Sequence, residues 1–597
     1  MNKQKVYLGI NVSHGASASL MINGEIVLGF QEERFNKIKN FCGYPKVSIE
    51  KCLDFVEKKK LIVEEASFST IDNIAFPFKY PVDNYFSIKN WFNYYLGFYS
   101  REEKIKNARY YFKNLKQKNE LKDLYLDYNK IKKKNYFQNN QIFRNLQKKY
   151  LQKQSRNKIK NIKFIDHHTC HAYYAAYAPT VKEKKIGILT LDSEGDGLNQ
   201  TFWIFNKKKN YLKKINISAQ CDLARIYRFI TLILKMKPNE HEFKVMGLAP
   251  YAKNEYSIKV YNEVFKDILK VKNCRVVHNK RPKDLFSYLY NKTQGHRFDN
   301  IAGAVQILVE NISTELLIQI HKKYKLNVFS ISGGVSMNIK MNMVLSNLNF
   351  VKNMYVAPTG TDESLSIGAC YYLNKKNNKP IKNIYLGQEL TKNKLSKKMI
   401  IDSLKDTKKF LIFDNIGHKR IAKLINDGEI ISIARGREEF GARALGNRSI
   451  IANPSKEGIV QKINDQIKNR DFWMPFALTI LKEGQGKYII NPKRISSDFM
   501  TIGFKTKAKY YNKIKNGTHA YDKTVRPQIL QKNFNNSYYS IIKEFYKISG
   551  IPAVLNTSLN LHGYPISSTL KDIIFTFENS DLKYLYIQDK YLIKKSK

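Results

Sequence analysis

Three histidines, His167, His168 and His171, stand within five residues of a chain that has 11 histidines in all. The small and aromatic residues that follow them predict a helix beginning here. Residues four apart share one face of a helix, so His167 and His171 would point together. Two imidazoles on adjacent turns can hold one metal ion, with oxygen ligands supplied from elsewhere in the fold. Two alternatives stay open: His168 replaces His167, or the histidines only satisfy backbone groups at a helix start.

Carboxylates follow two predicted strands. Asp192 comes directly after the apolar run 186–191, and Asp362 lies in a turn after Val356. A carboxylate at the carboxyl end of a strand is placed over the crevice where α/β sheets bind ligands. Asp192 and Asp362 are therefore candidate oxygen ligands, whereas Asp196 fits a solvated turn equally well.

Two glycine-containing turns could bring a ligand close to the backbone. Gly333 and Gly334 follow the predicted strand 328–331, and Asn338 stands four residues further on. Paired glycines between a strand and a helix expose N–H groups to a nucleotide, although this signal alone is weak. His14 lies in a turn of small residues after the first predicted strand, where a ligand can also approach.

A cluster of arginines set among glycines follows the predicted strand 430–433. Planar guanidinium groups bind phosphate oxygens in pairs, so this stretch favours a dianion site, with a basic surface loop as the alternative. Further basic residues follow in 468–470 and in the alternating polar stripe 522–528. The candidate basic residues are Arg435, Arg437, Arg443, Arg448, Lys468, Arg470 and Arg526.

Length and composition indicate a globular protein of two or more domains. The chain has 597 residues, of which 43% are hydrophobic and 13% aromatic. The hydropathy pattern predicts no apolar run of the roughly 20 residues that a membrane span needs. An N-terminal signal peptide is disfavoured because His14, Gly15 and Glu25 interrupt the first apolar stretch. Six scattered cysteines without a CxxC pair suit a reducing cytoplasm.

The net charge of +52 has two readings. Clustered lysines would favour a nucleic-acid partner, because they release counterions from phosphates. Here lysine is spread through the chain and no nucleic-acid motif accompanies it, so we favour a solvated surface over a polyanionic partner. Residues 80–160 carry the weakest pattern and are predicted to be helical with a mobile surface portion. The polar stretch 374–383 predicts a linker between domains 1–383 and 384–597.

Taken together, the motifs resemble those of the NodU/CmcH-type O-carbamoyltransferases, in the family's order over both halves of the chain. The matching stretches are His14 with its turn, Glu32–Phe35, His167–Ala172, Leu191–Asp196, Lys244–Ala249, Ser332–Asn338, Glu439–Ser449, Asp522–Gln528 and Asn556–Ser558. The resemblance implies an α/β protein with an N-terminal actin/Hsp70-like ATPase fold (a duplicated ribonuclease-H-like fold) and a C-terminal YrdC-like domain.

The resemblance also implies an activity. The C-terminal domain would consume carbamoyl phosphate and ATP, with Mg²⁺ as a companion of the nucleotide, to form carbamoyl adenylate. The intermediate would move inside the protein to the N-terminal domain, which would carbamoylate a hydroxyl of a sugar or secondary metabolite. A second hypothesis is a tRNA threonylcarbamoyladenosine-type modification protein, and a third is a degenerate nucleotide-binding scaffold. Cytoplasmic location is expected, and homo-oligomerisation stays open.

By motif match, the family's roles fall on particular residues. His14 would be the general base, and His167, His171, Asp192 and Asp362 would hold a divalent metal, with iron expected. Gly333, Gly334 and Asn338 would line the nucleotide. The residues expected around carbamoyl phosphate and ATP are Arg437, Arg443, Arg448, Lys468, Arg470, Arg526 and Thr557.

The chain departs from the family pattern at a few positions. Ala442 replaces a proline, Met474 an arginine and Leu559 a phenylalanine, and His519 stands three rather than two residues before Asp522. The missing arginine at Met474 is the departure that most affects the expected affinity for carbamoyl phosphate.

Overall fold

A computed structural model describes residues 4–71, 136–180, 182–374, 377–390 and 395–596. The chain divides into two compact units, residues 1–381 and 382–597. Most of the predicted helical stretch 80–160 lies outside the described residues, but its last part contains a helix at Tyr136–Gln154.

Unit 1 begins with a five-stranded sheet. Its strands are β1 (Val6–Asn11), β2 (Ser17–Ile22), β3 (Glu25–Gln31), β4 (Glu65–Phe68) and β5 (Asn161–Phe164). The spatial order is β3-β2-β1-β4-β5. β2 runs antiparallel to both β1 and β3, whereas β1, β4 and β5 are parallel to one another.

The predicted hairpin between β2 and β3 is confirmed. Asn23 and Gly24 have φ values of 49° and 81°, so both central residues of the turn are left-handed. A type I′ turn requires this conformation, which asparagine and glycine adopt at low cost. Apolar side chains of these strands, among them Leu8, Ile10 and Leu20, are fully buried in the core.

A second sheet repeats the pattern of the first. The next strands are β6 (Lys185–Gly195), β7 (Leu198–Asn206), β8 (Tyr211–Ser218), β9 (Leu269–Lys272), β10 (Arg275–His278), β11 (Val328–Ser332) and β12 (Asn353–Val356). β9 and β10 form a separate ribbon, and the others have the order β8-β7-β6-β11-β12 with only β7 antiparallel. Two sheets of this order and direction make unit 1 a duplicated ribonuclease-H-like fold, the actin/Hsp70-like architecture.

The duplication places polar residues at equivalent strand ends. The loop after β1 contains His14, and the end of β6 contains Asp192. The helix after β5 starts at His167, and the turn after β12 contains Asp362. Because the carboxyl ends of parallel strands share one edge of a sheet, each repeat directs its two residues toward one crevice.

Helices cover the sheets of unit 1. They are α1 (Glu33–Asn36), α2 (Lys46–Lys58), α3 (Tyr136–Gln154), α4 (His167–Tyr177), α5 (Leu223–Ile233), α6 (Glu242–Leu248), α7 (Asn254–Val260), α8 (Leu285–Lys292), α9 (Phe298–Tyr324), α10 (Ile339–Asn347) and α11 (Leu365–Asn374). Of the helices in the described residues, α9 is long and apolar enough to cross a membrane by length and composition. Its most apolar window has a mean hydropathy of 1.4 and is 67% buried inside the protein, and core helices pass the same test.

Unit 2 is built on an eight-stranded mixed sheet. The strands described in unit 2 are β13 (Phe410–Phe413), β14 (Ile431–Ala434), β15 (Arg448–Ala452), β16 (Ala477–Leu481), β17 (Phe504–Lys505), β18 (Thr524–Val525), β19 (Pro527–Leu530), β20 (Ala553–Ser558), β21 (Tyr584–Ile587) and β22 (Tyr591–Lys595). β17 pairs with β18, and the others have the order β13-β22-β21-β14-β15-β20-β16-β19.

The helices of unit 2 complete an α/β unit. They are α12 (Lys397–Ser403), α13 (His418–Asn426), α14 (Ile459–Ile463), α15 (Gln485–Tyr488), α16 (Asn536–Ser549) and α17 (Leu570–Glu578). The predicted strand 430–433 is β14, so the arginine- and glycine-rich stretch leaves its carboxyl end as expected. The YrdC-like character of this unit stays a prediction.

Candidate functional site

The histidine helix α4 begins where its sequence predicts. The Asp166 carboxylate accepts a 2.9 Å hydrogen bond from the Thr169 N–H, which satisfies a backbone donor at the helix start. His167 and His171 lie one turn apart, with 2% and 0% of their surfaces exposed. The helix thus directs two buried imidazoles into the crevice of unit 1.

The structure brings the four predicted metal ligands together. The Nε2 atom of His171 lies 3.1 Å from Asp192 Oδ2 and 3.6 Å from Asp362 Oδ1. The Nε2 atom of His167 lies 3.7 Å and 3.6 Å from the same oxygens. One donor atom from each residue lies within 4.8 Å of all the others. Bonds of about 2.1 Å to one ion would separate its ligands by about 3.0–3.4 Å, so the set fits one cation.

The two carboxylates of this cluster strongly favour positive charge on the two buried imidazoles. Burial would lower the pKa of His167, but Asp362, Asp192 and Asp196 together raise it to about 9. Burial likewise opposes ionisation of Asp192, yet His167 and His171 hold its pKa well below the usual range. A metal cation bound among these four side chains would also neutralise the two carboxylates. The charge of the cluster therefore supports the assignment of these residues as metal ligands.

His168 does not join this cluster. Its Nδ1 atom lies 2.7 Å from the hydroxyl of Thr190, a buried residue of β6. Burial, with His167 and His171 adding to the effect, lowers the pKa of His168 to about 3, so it is a neutral packing residue. Of the two open assignments, the geometry therefore favours His167 as the partner of His171.

His14 lies beside the four-residue cluster. Its half-buried imidazole is close enough to interact electrostatically with Asp362, Asp192 and His167. Burial lowers the pKa of His14 below its usual value, and Arg228 and His167 add to this effect while the two carboxylates oppose it. The imidazole is therefore neutral near pH 7, which is the form that accepts a proton.

The paired glycines pack against the cluster from β11. Gly333 has a φ of 93°, and a side chain there would meet the Leu191 carbonyl oxygen at 2.2 Å. The Gly334 N–H donates a 3.1 Å hydrogen bond to Asp192 Oδ2. Asn338 is engaged elsewhere: its amide caps α10 at Met341 and pairs with Gln306. The structure thus brings the glycines, more than Asn338, to the crevice.

Two residues near the cluster were not identified as functional from the sequence. Asp196, which the sequence assigns equally well to a solvated turn, accepts hydrogen bonds from the N–H of His167 at 2.7 Å and the Thr70 hydroxyl at 2.6 Å. Ser332 lies 3.1 Å from Nδ1 of His171 and fixes that ring. A carboxylate four residues after Asp192 was a signal for Asp196, whereas nothing local identifies Ser332.

In unit 2 the structure collects three of the predicted anion ligands, which we call the arginine cluster: Arg443, Arg470 and Arg526. Burial, with the nearby Arg443, lowers the pKa of Arg470 to about 10. Burial, Arg443 and Arg470 also lower the pKa of Arg526. The Arg470 guanidinium donates to the Thr557 hydroxyl at 2.9 Å and lies over the Phe476 ring. Three adjacent cations are suited to a polyanion.

Arg448 is not part of this cluster, which corrects its expected role. It is fully buried, and its N–H groups donate to the backbone carbonyl oxygens of Arg435, Gly436, Asn447, Ser568 and Gln388. A guanidinium has five N–H donors, so none is left for a phosphate. Arg448 instead holds the glycine-rich loop in place.

Arg437 and Lys468 are also engaged with protein groups. Arg437 donates to the carbonyl oxygens of Leu386 and Gly387. Lys468 is buried and donates to the Ser558 hydroxyl and to the Asn560 side chain at 3.3 Å and 2.9 Å. Both residues support the walls of the site, and a ligand would have to replace these bonds to reach them.

Glu439 shapes the loop that carries Arg443. This carboxylate is 1% exposed and accepts hydrogen bonds from the N–H groups of Leu445 at 2.7 Å and Asn447 at 2.8 Å. The loop also packs Gly446 on the Tyr538 ring, where a side chain would meet ring atoms at 2.2 Å. The glycine-rich sequence is therefore needed for the shape of this loop.

Comparisons with known proteins identify the family of this chain. The sequence model of the carbamoyltransferase N-terminus matches residues 6–371, and that of the carbamoyltransferase C-terminus matches residues 422–595. An uncharacterized protein of Methanocaldococcus jannaschii is 32% identical over 602 residues, covering 99% of this chain and 100% of that protein. The nodulation protein NolNO of Sinorhizobium fredii is 25% identical, covering 98% of this chain and 79% of that protein.

Among solved structures, full-length HypF in its phosphate- and nucleotide-bound form is similar to this chain with 12% identity and a TM-score of 0.35. The superposed region covers 63% of this chain and 47% of the HypF chain. That similarity is too low to bear on function. The two family matches together span most of both units. The chain therefore belongs to the carbamoyltransferase family and is a carbamoyltransferase enzyme.

Proposed function

We propose that this carbamoyltransferase is ATP-dependent and transfers the carbamoyl group to a hydroxyl of a sugar or other secondary metabolite. The observation that carries the proposal is the position of a neutral, half-buried His14 beside the cluster of two histidines and two aspartates. An alcohol is a poor nucleophile at pH 7 and needs a base, while the carbamoyl carbonyl needs positive charge nearby.

His167, His171, Asp192 and Asp362 would hold the divalent cation. Imidazole nitrogens and carboxylate oxygens are donors that suit Fe²⁺, Mn²⁺ and Zn²⁺, and iron is the expectation from the family resemblance. When bound, the cation would supply a Lewis acid for charge on the carbonyl oxygen and on the leaving phosphate.

His14 would remove the proton of the acceptor hydroxyl. As the acceptor oxygen bonds to the carbamoyl carbon, an imidazole nitrogen of His14 takes the hydroxyl proton. The bond between that carbon and the adenylate oxygen breaks, and AMP leaves with the electron pair. Gly333 and Gly334 would line the nucleotide through the lack of a side chain, because the Gly334 N–H donates to Asp192 Oδ2 and the Gly333 N–H to the Gly360 carbonyl oxygen.

The arginine cluster of unit 2 would bind the anionic substrates. Water cleaves carbamoyl phosphate to carbamate and phosphate, and carbamate then attacks the α-phosphorus of ATP to give carbamoyl adenylate and pyrophosphate. Arg443, Arg470 and Arg526 would neutralise the phosphate oxygens, with the Thr557 hydroxyl and Mg²⁺ assisting. The repulsion among the three guanidinium groups favours the bound anion.

The decisive test follows ¹⁴C from carbamoyl phosphate. The full-length protein, ATP, Mg²⁺ and a panel of glycosides should give a labelled O-carbamoyl product with one pyrophosphate per transfer. Omission of ATP should abolish the product. Transfer that proceeds equally well without ATP would overturn the adenylate route, and labelling of amines but not alcohols would overturn the choice of acceptor.

The net charge of +52 is the observation that favours the second candidate, modification of tRNA. It predicts tight tRNA binding that weakens steeply with salt. Threonine-dependent labelling of tRNA adenosine from ¹⁴C-bicarbonate and ATP would establish that candidate in place of the first.

A further inference from the structure

The loop that carries His14 is bonded to the turn that carries Asp362. The Ser13 hydroxyl lies 2.9 Å from Asp362 Oδ2, and the Ser17 hydroxyl donates to the carbonyl oxygen of Glu363 at 2.7 Å. Between them Gly15 has a φ of +62°, and a side chain there would meet Glu363 atoms at 3.2–3.3 Å. The two segments come from opposite ends of unit 1 and yet form one packed contact.

The hydroxyl proton of Ser13 has two acceptors within reach. Asn11 Oδ1 is 2.7 Å away, and Asp362 Oδ2 is 2.9 Å away. Asn11 Oδ1 already accepts from the Ser13 N–H at 3.0 Å and from the Ser69 hydroxyl at 3.2 Å, which fills both of its lone pairs. A charged carboxylate is also the stronger acceptor, so the proton belongs to Asp362.

This bond decides which oxygen of Asp362 faces the cluster. Ser13 holds Oδ2, and the other oxygen, Oδ1, lies 3.6 Å from Nε2 of both His167 and His171. We propose that Ser13 is a positioning residue that makes Asp362 a one-oxygen ligand of the cation and fixes the distance from that cation to His14. The inference rests on the proposed function, because it needs a cation at this cluster.

Asn11 completes the link to the base. Its Nδ2 group donates to the carbonyl oxygens of His14 at 3.0 Å and Gly15 at 3.4 Å. Both Asn11 and Ser13 are fully buried, so solvent does not compete for these bonds. A displacement of Asp362 is therefore transmitted through Ser13 and Asn11 to the backbone of His14.

The test compares Ser13→Ala and Ser13→Cys with Ser67→Ala in the full-length chain. Cysteine nearly matches serine in size but is a weak donor, so it removes the bond and keeps the packing. Ser67 is fully buried in β4 and bonds to the adjacent carbonyl of Phe68, which makes it a matched control. Mn²⁺ affinity of the chelator-treated protein is measured by titration calorimetry, and folding by circular dichroism.

Loss of an outer partner of a metal ligand costs about 10- to 100-fold in metal affinity. We expect that loss of Mn²⁺ affinity in both Ser13 variants, with wild-type affinity in Ser67→Ala. The transfer kcat should fall as well, while the first-turnover burst of pyrophosphate, which precedes transfer, stays unchanged. A purely structural role of Ser13 would not separate these two activities.

The variant His167→Ala distinguishes a failure of the Ser13 proposal from a failure of the proposed metal site. Should both Ser13 variants bind Mn²⁺ like the wild type while His167→Ala abolishes binding, the positioning role of Ser13 is overturned and the metal site stands. Unchanged Mn²⁺ binding in His167→Ala would instead overturn the metal site of the proposed function. If Ser13→Ala does not fold, Ser13→Cys decides the question.

Discussion

The Oδ1 atom of Asp589 lies 2.7 Å from Nη1 of Arg435. Ser537, at the start of α16, donates to the other oxygen of this carboxylate, and His418, at the start of α13, lies 3.6 Å from Oδ1. Burial opposes ionisation, but Arg435, His418 and Ser537 hold the pKa of Asp589 at about 2. This carboxylate therefore ties the β21–β22 turn to two helices.

Asp589→Asn should lower the free energy of unfolding by on the order of 2 kcal/mol at pH 7. An aspartate with a depressed pKa stabilises the fold above its unfolded pKa of about 3.9 and loses this contribution as the pH falls through about 2. The difference from the wild type should therefore shrink between pH 4 and pH 2. Urea unfolding at several pH values measures it, with the exposed Asp402→Asn as control. A difference independent of pH would contradict the account.

His14→Ala should lower the transfer kcat by about 10²- to 10⁴-fold, the usual contribution of a general base. Burial lowers the pKa of His14 below 6.5, so protonation should make the wild-type kcat/KM fall only below that pH. The pH profile of transfer checks both points. His296→Ala, in a helix-start loop of unit 1, is the control, and a wild-type rate in His14→Ala would place the base elsewhere.

Arg526→Gln should abolish the response of the protein to pyrophosphate while raising its thermal stability. Burial, together with repulsion from Arg443 and Arg470, disfavours the charge of this guanidinium, so its removal should stabilise the folded state. An anion that binds only the native state stabilises it by mass action. Differential scanning calorimetry with and without pyrophosphate should show a rise in Tm for the wild type and the exposed-arginine control Arg494→Gln, but none for Arg526→Gln. A full pyrophosphate response in Arg526→Gln would remove this residue from the site.

Asp192→Asn should weaken Mn²⁺ binding and lower transfer by at least about 100-fold, while leaving the first-turnover burst of pyrophosphate intact. The substitution keeps the size of the side chain but removes the negative charge that the two imidazoles and the cation require. Metal content and transfer rate, each with and without a chelator, are the measurements. The control is Glu194→Gln, because the Glu194 side chain is 65% exposed and lies two residues away. Equal metal content in both variants would argue against this ligand.

Site residues whose positions follow from the periodicity of one helix or strand could be predicted from the sequence. The spacing of His167 and His171 on one helix, and of Asp192 at a strand end, follows from the geometry of those elements. Asp362 was found by the same argument applied to a second strand. The repeated sheet pattern was not visible as a sequence repeat and entered through the family resemblance.

The bonds of individual side chains could not be predicted. Arg448 looked like an anion ligand because its residue type and glycine neighbours fit one, yet distant segments around Gln388 and Ser568 supply the carbonyl oxygens that occupy it. Asp196 looked solvated because nothing nearby in the sequence indicates that Thr70 and the start of α4 pack on it. Such contacts depend on tertiary packing of remote residues.

The equivalence of the two sheets has an evolutionary consequence. In an ancestor assembled from two identical halves, the ends of β1 and β6 would have carried the same side chain, related by a twofold axis. The segments that follow β5 and β12 would have been equivalent in the same way. The present chain breaks that symmetry, with an amide at Asn11, the last residue of β1, and a carboxylate at Asp192 in β6. Fusion of the halves would let the two strand ends diverge, so that one half could carry the proposed base and the other a proposed metal ligand.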